Sequence, residues 1–251
     1  MAEQNFKDHF SAHASDYQSF RPGYPGELFR FLATLPNENQ LAWDCATGNG
    51  QAANLLSEYF RTVVATDAST QQVQNAANPE HIIYRVEPAE HSSLDSQSVD
   101  LITVAQALHW FDLDAFSTEV DRVLKPGGVL AAWTYNLVTI SDDIDPLIYH
   151  LYADILGDYW SFERSQVENG YADITLPLIS IEAPAFSMQC HWQLPQLLGY
   201  LSTWSALKCY QQENKSNPLK DLDAQFHDAW KQSTISRPVN WPLTLKLWKK
   251  E

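Results

Sequence analysis

The chain of 251 residues is 45% hydrophobic and 19% charged, and its formal net charge is −15. This length allows one large core, or one domain with a substantial insertion. The acidity argues against nucleic acid and anionic membrane surfaces as partners, because both would repel the protein.

The cysteines and the amino terminus bear on the cellular compartment. Cys45, Cys190 and Cys209 are odd in number and form no C-x-x-C pair, which argues against a disulfide framework and against a metal site. Residues 1–8 lack the apolar core of a signal peptide, and the chain has no run of 18 apolar residues. We therefore expect a cytoplasmic protein with no metal and no membrane partner.

Hydrophobic patterning predicts alternating strands and helices through the first half of the chain. A helix is expected at Glu27–Leu35, after the proline-rich turn of residues 21–25. Strands are predicted at residues 41–44, 61–66, 81–86, 98–105 and 129–133, and the intervening helices at residues 51–60, 69–77 and 114–124.

Strands that alternate with helices at this spacing predict a parallel sheet, in which ligands bind at the carboxyl ends of the strands. That edge collects residues 44–50, Asp67, residues 87–90 and residues 106–110. After Trp133 the pattern changes to an aromatic-rich segment, with helices expected at 194–210 and 219–232 and a strand at 239–248.

The glycine turn at residues 48–50 has two interpretations. Gly48-x-Gly50-x-x-Ala53, with Asp67 19 residues beyond Gly48, fits the fingerprint of an NAD-binding unit. However, Asp44 would repel a pyrophosphate, and residues 36–135 hold 13 acidic and 4 basic side chains. This charge favours a ligand with a positive centre.

Five motifs follow one another through residues 41–133: Asp44–Gly50, Val64–Asp67, Ala89–Glu90, Ala105–Asp112 and Arg122–Gly128. In this order and at these distances they resemble the motifs of the class I S-adenosylmethionine-dependent methyltransferases, close to the type 11 and trans-aconitate-methyltransferase-like members. The segment from Tyr17 to Pro25 is similar to the lid of this subgroup.

The resemblance implies a fold, an activity and a cofactor. The fold is Rossmann-like, with a seven-stranded, mostly parallel sheet, helices on both faces and a helical, aromatic cap after the fifth strand. The activity is in-line methyl transfer from S-adenosylmethionine to a small molecule, by a monomer or homodimer. The resemblance also divides the chain into four parts, which are a lid at 1–35, a cofactor-binding core at 36–135, a substrate-covering region at 136–235 and a closing strand at 236–251.

The resemblance also implies residue roles. Ala46, Gly48 and Gly50 would face the methionine part of the cofactor, Asp44 its amino group and Arg21 its carboxylate. Asp67 would hold the ribose hydroxyls, Ala68 would pack on the adenine, and the Ala89 N–H would bind it. The remaining expected contacts are Tyr17, Glu90 and Gln106.

Two positions depart from the family pattern. Ala46 replaces a common glycine, and Pro88 stands where many members carry an aspartate for the adenine amino group. Glu87 or Glu90 is the expected substitute for that aspartate.

The acceptor is less defined than the cofactor. His109 lies beside the expected methyl group and is a candidate general base or structural group. A carboxylate acceptor would need a cation, for which Arg164, Lys208 and Lys215 are candidates, whereas the aromatic-rich segment after Trp133 suits an apolar or conjugated acceptor equally well. An NAD-dependent oxidoreductase and a non-catalytic cofactor-binding scaffold are the alternatives.

Overall fold

The computed structural model describes residues 23–76 and 79–251, so the expected contacts of Tyr17 and Arg21 lie outside the described residues. The strands are β1 Leu41–Cys45, β2 Thr62–Asp67, β3 Ile82–Val86, β4 Val99–Ala105, β5 Leu124–Tyr135, β6 Ile179–Ile181, β7 Phe186–Trp192 and β8 Arg237–Lys249. The α-helices are α1 Gly26–Leu32, α2 Gln51–Leu56, α3 Thr70–Gln74, α4 Leu113–Val123, α5 Asp145–Tyr149, α6 Arg164–Glu168, α7 Leu194–Ser202, α8 Ser205–Asn214, α9 Pro218–Asp221 and α10 Asp223–Trp230.

One sheet organises the described chain, in the order β3-β2-β1-β4-β5-β8-β6, with β7 also paired to β8. β1 to β5 are mutually parallel, and β8 runs antiparallel to its neighbours. β6 and β7 pair with opposite ends of one edge of β8, so eight strands fill seven positions. The predicted α/β fold with a mostly parallel sheet is confirmed, and the predicted closing strand is β8.

The helices of the first half begin at residues that satisfy their free N–H groups or turn the chain. Ser69 Oγ accepts from the Gln72 N–H at the start of α3, and an Asp112 oxygen accepts from the Ala115 N–H at the start of α4. The two faces of the sheet hold separate apolar cores, with Trp43 in one and Trp133 in the other, both fully buried. These cores fix the carboxyl edge of the sheet as a rigid platform.

The structure differs from the predicted elements at several places. The fifth strand, predicted at residues 129–133, begins at Leu124, and its pairing with β4 jumps from Leu124 to Val129 where Gly127 has a φ of +78°. The predicted helices at 194–210 and 219–232 are each divided in two. Strands β6 and β7 are not among the predicted elements. β6 has only three residues, whereas β7 does alternate apolar and polar residues from Phe186 to Trp192, as a half-buried strand does.

Within residues 23–76 and 79–251, no helix combines the length and the apolar character needed to cross a membrane.

Candidate functional site

The turn between β1 and α2 is built from backbone in the left-handed region. Ala46, Gly48 and Gly50 have φ values of +54°, +57° and +85°. A Cβ placed on Gly48 would meet no atom of residues 23–76 and 79–251 within 4 Å, whereas one on Gly50 would lie 2.2 Å from the Tyr84 hydroxyl oxygen. Among the described residues, the space beside the turn is therefore open at Gly48 and filled by Tyr84 at Gly50.

Tyr84 is a contact that the sequence analysis missed. It lies on β3, in register with Ala65 of β2, which is in turn in register with Asp44 of β1. Its hydroxyl is buried and has no hydrogen-bond partner among the residues that the structure describes, and burial, followed by the nearby Asp44 charge, raises the pKa of Tyr84 to about 12. Only the alignment of three strands places this ring against Gly50.

The carboxylate of Asp44 is fully buried beneath the turn. One oxygen accepts from the Thr47 hydroxyl at 2.5 Å and the other from the Thr103 hydroxyl at 2.7 Å. Burial raises the pKa of Asp44 to about 6, although these hydroxyls partly offset it. Asp44 therefore stabilises the turn through Thr47 and places a negative charge behind it.

Asp67 connects the end of β2 to the same turn. One carboxylate oxygen accepts from the Gly48 N–H at 2.9 Å, and the other accepts from the Ser69 N–H at 2.8 Å. A carboxylate has about four lone-pair positions, so these two bonds leave capacity for ligand hydroxyls. Ala68 follows it and is exposed.

The loop after β3 contains the other predicted cofactor contacts. Ala89 is buried, and a Glu90 oxygen accepts from the Asp112 N–H at 3.0 Å. Glu87 instead accepts from the backbone and the hydroxyl of Ser93, so its carboxylate is held by its own loop. Of the two candidates to replace the aspartate missing at Pro88, Glu90 is the one whose charge acts on β1, at Cys45.

Cys45, the last residue of β1, lies where the charges of several acidic residues converge. Burial raises the pKa of its thiol well above the ordinary value, and the charges of Asp44, Glu90 and Asp67 raise it further. Three carboxylates from three different segments thus act on one point at the end of β1. The site offers negative charge to a ligand with a positive centre.

Gln106 fastens the end of β4 to the end of β5. Its side-chain oxygen accepts from the Thr134 hydroxyl at 2.7 Å and the Tyr135 N–H at 2.9 Å, while its amide group donates to the Tyr135 carbonyl at 3.3 Å. Its own N–H donates to the Trp133 carbonyl at 2.8 Å. With its side chain committed in this way, Gln106 presents mainly backbone to the site.

His109 lies in a short 3₁₀ turn, Leu108–Trp110, that follows β4. Its Nδ1 is 3.1 Å from the hydroxyl of Tyr171, a buried residue with a φ of +58° after α6. Burial, and then the positive charge of Arg164, lower the pKa of His109 to about 4, against the opposing effect of Glu163. The imidazole is therefore neutral at pH 7.

The three candidate cations differ in their surroundings. Arg164 is half-buried and interacts electrostatically with His109. Lys215 is exposed and donates to the Gln212 carbonyl of its own helix at 2.6 Å. Lys208 lies on α8 and also has an interaction partner. Arg164 alone of these three has a described interaction with a predicted site residue.

Fold and site together define a class of protein. A parallel sheet with a glycine turn after β1 and an acid at the end of β2 is typical of Rossmann-like proteins that bind an adenosine-containing cofactor. The expected edge of the sheet does collect the described candidates: residues 44–50, Asp67, Ala68, Ala89, Glu90, Gln106 and His109.

Comparison with known proteins identifies the family within this class. A family model described as a methyltransferase domain matches residues 43–132. A Dictyostelium discoideum protein described as a methyltransferase is 33% identical over 98% of this chain and 96% of its own length. A Saccharomyces cerevisiae protein described as an S-adenosylmethionine-dependent methyltransferase is 25% identical over 96% of this chain and 93% of its own length.

A solved structure agrees. The structure of a protein from Anaeromyxobacter dehalogenans, described as a type II methyltransferase, is 37% identical, has a TM-score of 0.88 and covers 92% of this chain and 98% of its own. The chain belongs to the class I S-adenosylmethionine-dependent methyltransferases, and S-adenosylmethionine is its cofactor. The family favours methyl transfer over the NAD-dependent and scaffold alternatives, while the trans-aconitate-like subgroup stays a prediction.

Proposed function

We propose that this enzyme transfers a methyl group in line from S-adenosylmethionine to a small molecule bearing a carboxylate or an apolar, conjugated group. The observation that carries the proposal is the turn at Gly48, which faces open space and is bordered by acidic side chains. When bound, S-adenosylmethionine supplies a methyl group that its sulfonium already activates.

The described residues fit this cofactor. The open space at Gly48 admits the close approach of the methionine part, beside the turn that Ala46 and Gly50 complete. Asp67 holds the ribose hydroxyls with the capacity left after its bonds to Gly48 and Ser69. Asp44 contributes negative charge from behind the turn, since its own oxygens accept from two threonines.

The adenine lies between the ends of β2 and β3 in this proposal. Ala68 packs on its face, and Ala89 offers its backbone N–H. Glu90 takes the place of the aspartate absent at Pro88, because the Glu87 carboxylate is occupied by Ser93.

The acceptor lies at the ends of β4 and β5, where His109 is the proposed catalytic group. A neutral imidazole can hydrogen-bond an acceptor oxygen or receive a proton from it. Its low pKa makes it a weak base, so it suits an acceptor that has little or no proton to lose. Residues 136–235 cover this region, and residues 1–35, most of which lie outside the described chain, serve as the lid.

Isothermal titration tests the cofactor site, using S-adenosylmethionine, S-adenosylhomocysteine and NAD. We expect the wild type to bind both adenosyl ligands and not NAD, and Asp67→Asn to weaken binding by about tenfold or more, as for a lost charged hydrogen bond. Asp228→Asn removes the same charge from an exposed position on α10 and serves as the control.

Thermal melting of each variant separates loss of binding from loss of folding, since Asp67 also holds two backbone N–H groups. Binding of NAD without either adenosyl ligand would refute the proposed cofactor site, as would equal affinities of Asp67→Asn and wild type.

A further inference from the structure

Arg164 is held in an aromatic frame, by which we mean Tyr152, Trp160 and Trp204. The centre of its guanidinium is 4.9 Å from the ring centroid of Trp160 and 5.4 Å from that of Tyr152. Its Nε donates to the Tyr152 hydroxyl at 3.0 Å. These contacts orient the guanidinium before any ligand arrives.

The frame itself is rigid. The Trp160 indole N–H donates to the Tyr152 carbonyl at 3.0 Å, and the two ring centroids are 4.8 Å apart. Trp204 is in edge contact with both rings, at 5.8 and 5.6 Å. Three aromatic rings from separate segments thus fix the direction of one cation.

Within the part of the chain that the structure describes, the charge of Arg164 is not neutralised by a direct ion pair. Among residues 23–76 and 79–251, no carboxylate oxygen lies within 4.0 Å of its guanidinium nitrogens, whereas Arg122 pairs with Glu119 at 2.6 Å. The Glu168 carboxylate accepts from the Tyr152 hydroxyl instead. The acidic Glu163 precedes Arg164 in the chain and acts on His109 from the same region.

The position of Arg164 relates it to the acceptor and not to the cofactor turn. One terminal nitrogen is 3.5 Å from the side-chain oxygen of Asn136, the residue directly after β5. The guanidinium also acts electrostatically on His109, after β4, and on Tyr171. The carboxyl edge of the sheet is therefore acidic at β1 to β3 and carries an oriented cation at β4 and β5.

We infer that Arg164 binds the anionic group of the methyl acceptor, and that this group is a carboxylate; this inference rests on the proposed function. A guanidinium presents two parallel N–H donors that match the two oxygens of a carboxylate. The contact between an Arg164 terminal nitrogen and the Asn136 side-chain oxygen is long, at 3.5 Å. A bound carboxylate would displace this contact or share the same nitrogen. Lys208 and Lys215 carry an ammonium group and so lack the planar fork of a guanidinium.

Binding measured in the presence of saturating S-adenosylhomocysteine tests this inference without relying on turnover. The probes are trans-aconitate, benzoate and decanoate, each compared with its amide and with phenyl phosphate as a tetrahedral anion. We expect at least one carboxylate to bind the wild type, to shift the NMR signal of the Arg164 Nε–H, and to bind more tightly than its neutral amide.

Variants assign the effect to this side chain. Arg164→Gln should weaken carboxylate binding by about 10- to 100-fold and leave binding of the amide unchanged. Arg164→Lys should fall between, because it keeps the charge and loses the fork. Arg61→Gln removes an exposed arginine before β2 and is expected to change nothing.

The outcomes separate the two levels of the argument. If S-adenosylhomocysteine fails to bind the wild type, the proposed cofactor site fails. If it binds wild type and Arg164→Gln equally, but no carboxylate shifts the Arg164 signal, the inference is wrong. It is also wrong if Arg164→Gln binds a carboxylate as tightly as the wild type, or if only phenyl phosphate depends on Arg164.

Discussion

At the scale of single residues, Ala46 carries strain at the centre of the glycine turn. Its φ of +54° is a conformation that costs a residue with a Cβ roughly 1 kcal/mol. Ala46→Gly should therefore leave the free energy of unfolding unchanged or raise it by up to about 1 kcal/mol, although glycine is otherwise destabilising. Urea denaturation measures the change, and a clear loss of stability would contradict the strain.

Gly50 and Tyr84 form a pair whose coupling can be measured. Gly50→Ala should destabilise the protein by about 2 kcal/mol or more, because its Cβ would lie 2.2 Å from the Tyr84 hydroxyl at a φ of +85°. Tyr84→Phe alone should be neutral or stabilising by about 1 kcal/mol, because it removes a buried hydroxyl without a described partner.

The double variant provides the test of that pair. Tyr84→Phe should recover part of the stability lost in Gly50→Ala, since the hydroxyl oxygen is the nearest obstacle and the ring carbon behind it is 3.1 Å away. Additive effects in the double-mutant cycle would show that the two residues do not clash. Gly48→Ala is the matched control for the backbone angle, since its Cβ meets no atom.

Asp44 and His109 make opposite contributions to the pH dependence of stability. Between about pH 4 and 6 the folded chain keeps a proton on Asp44 that the unfolded chain releases, so this contribution falls as pH rises. Between about pH 4 and 6.5 the unfolded chain binds a proton at His109 that the folded chain does not, so this contribution rises with pH.

Replacing one of these two side chains should leave only the other one's contribution to the pH dependence of stability. In Asp44→Asn, the free energy of unfolding relative to wild type should improve as pH rises from 4 to 6. In His109→Asn, the same difference should worsen over pH 4 to 6.5. Urea denaturation at half-unit pH steps measures both slopes, and parallel curves for all three proteins would contradict both assignments.

At the scale of elements, a buried network fixes the loop that carries Ala89 and Glu90. Glu119 on α4 accepts from the backbone and hydroxyl of Ser92 at 2.8 and 2.6 Å, and Arg122 donates to Glu119 and to the Leu94 carbonyl. α4 thereby determines where the loop proposed to bind the adenine lies.

Glu119→Gln should weaken this connection in two measurable ways. We expect the free energy of unfolding to fall by about 1 to 3 kcal/mol, because the charged hydrogen bonds to Arg122 and Ser92 are lost or weakened. We also expect weaker binding of S-adenosylhomocysteine, by calorimetry. Asp114→Asn on the same helix is the control, and an unchanged affinity in Glu119→Gln would show that the loop needs no such support.

The predictability of these elements follows their physical origin. β1, β2 and β4 are buried parallel strands, and β3 is a partly exposed edge strand that is also rich in apolar residues, so apolar runs locate all four to within a residue or two. The meeting of Asp44 and Asp67 at one site was predictable, because the carboxyl ends of parallel strands lie at one edge of a sheet. The contacts of Tyr84, Tyr171 and the aromatic frame depend on strand register and on chain turns far apart in sequence, and no local pattern encodes them.

β6 and β7 differ in how predictable they are. β6 has only three residues, too few for a pattern, whereas the alternation of apolar and polar residues in β7 is a strand signal that could have been used. The positions of both strands depend on pairing with β8, which enters the sheet beside β5 from the far end of the chain. Helix-like apolar spacing predicted helices correctly at 194–210 and 219–232 but did not indicate the break inside each of them. The first break follows Ser202, where Thr203 donates to the Tyr200 carbonyl and the chain turns.

At the scale of the whole molecule, the net charge of −15 should distinguish the cofactor from its product. S-adenosylmethionine carries one more positive charge than S-adenosylhomocysteine, at the sulfur that transfers the methyl group. Asp44, Asp67 and Glu90 add to this field near the turn, and all three act on Cys45. The acidic core therefore favours the charged cofactor at low ionic strength and releases the neutral product more readily.

Salt should reduce that preference, because screening shortens to about 3 Å at 1 M from about 30 Å at 0.01 M. Between 0.02 and 0.5 M NaCl, we expect Kd for S-adenosylmethionine to rise about two- to threefold more than Kd for S-adenosylhomocysteine, which serves as the internal control. Calorimetry at both salt concentrations measures the ratio. A constant ratio would show that contacts at the turn alone, and not the charge of the molecule, determine the choice between the two ligands.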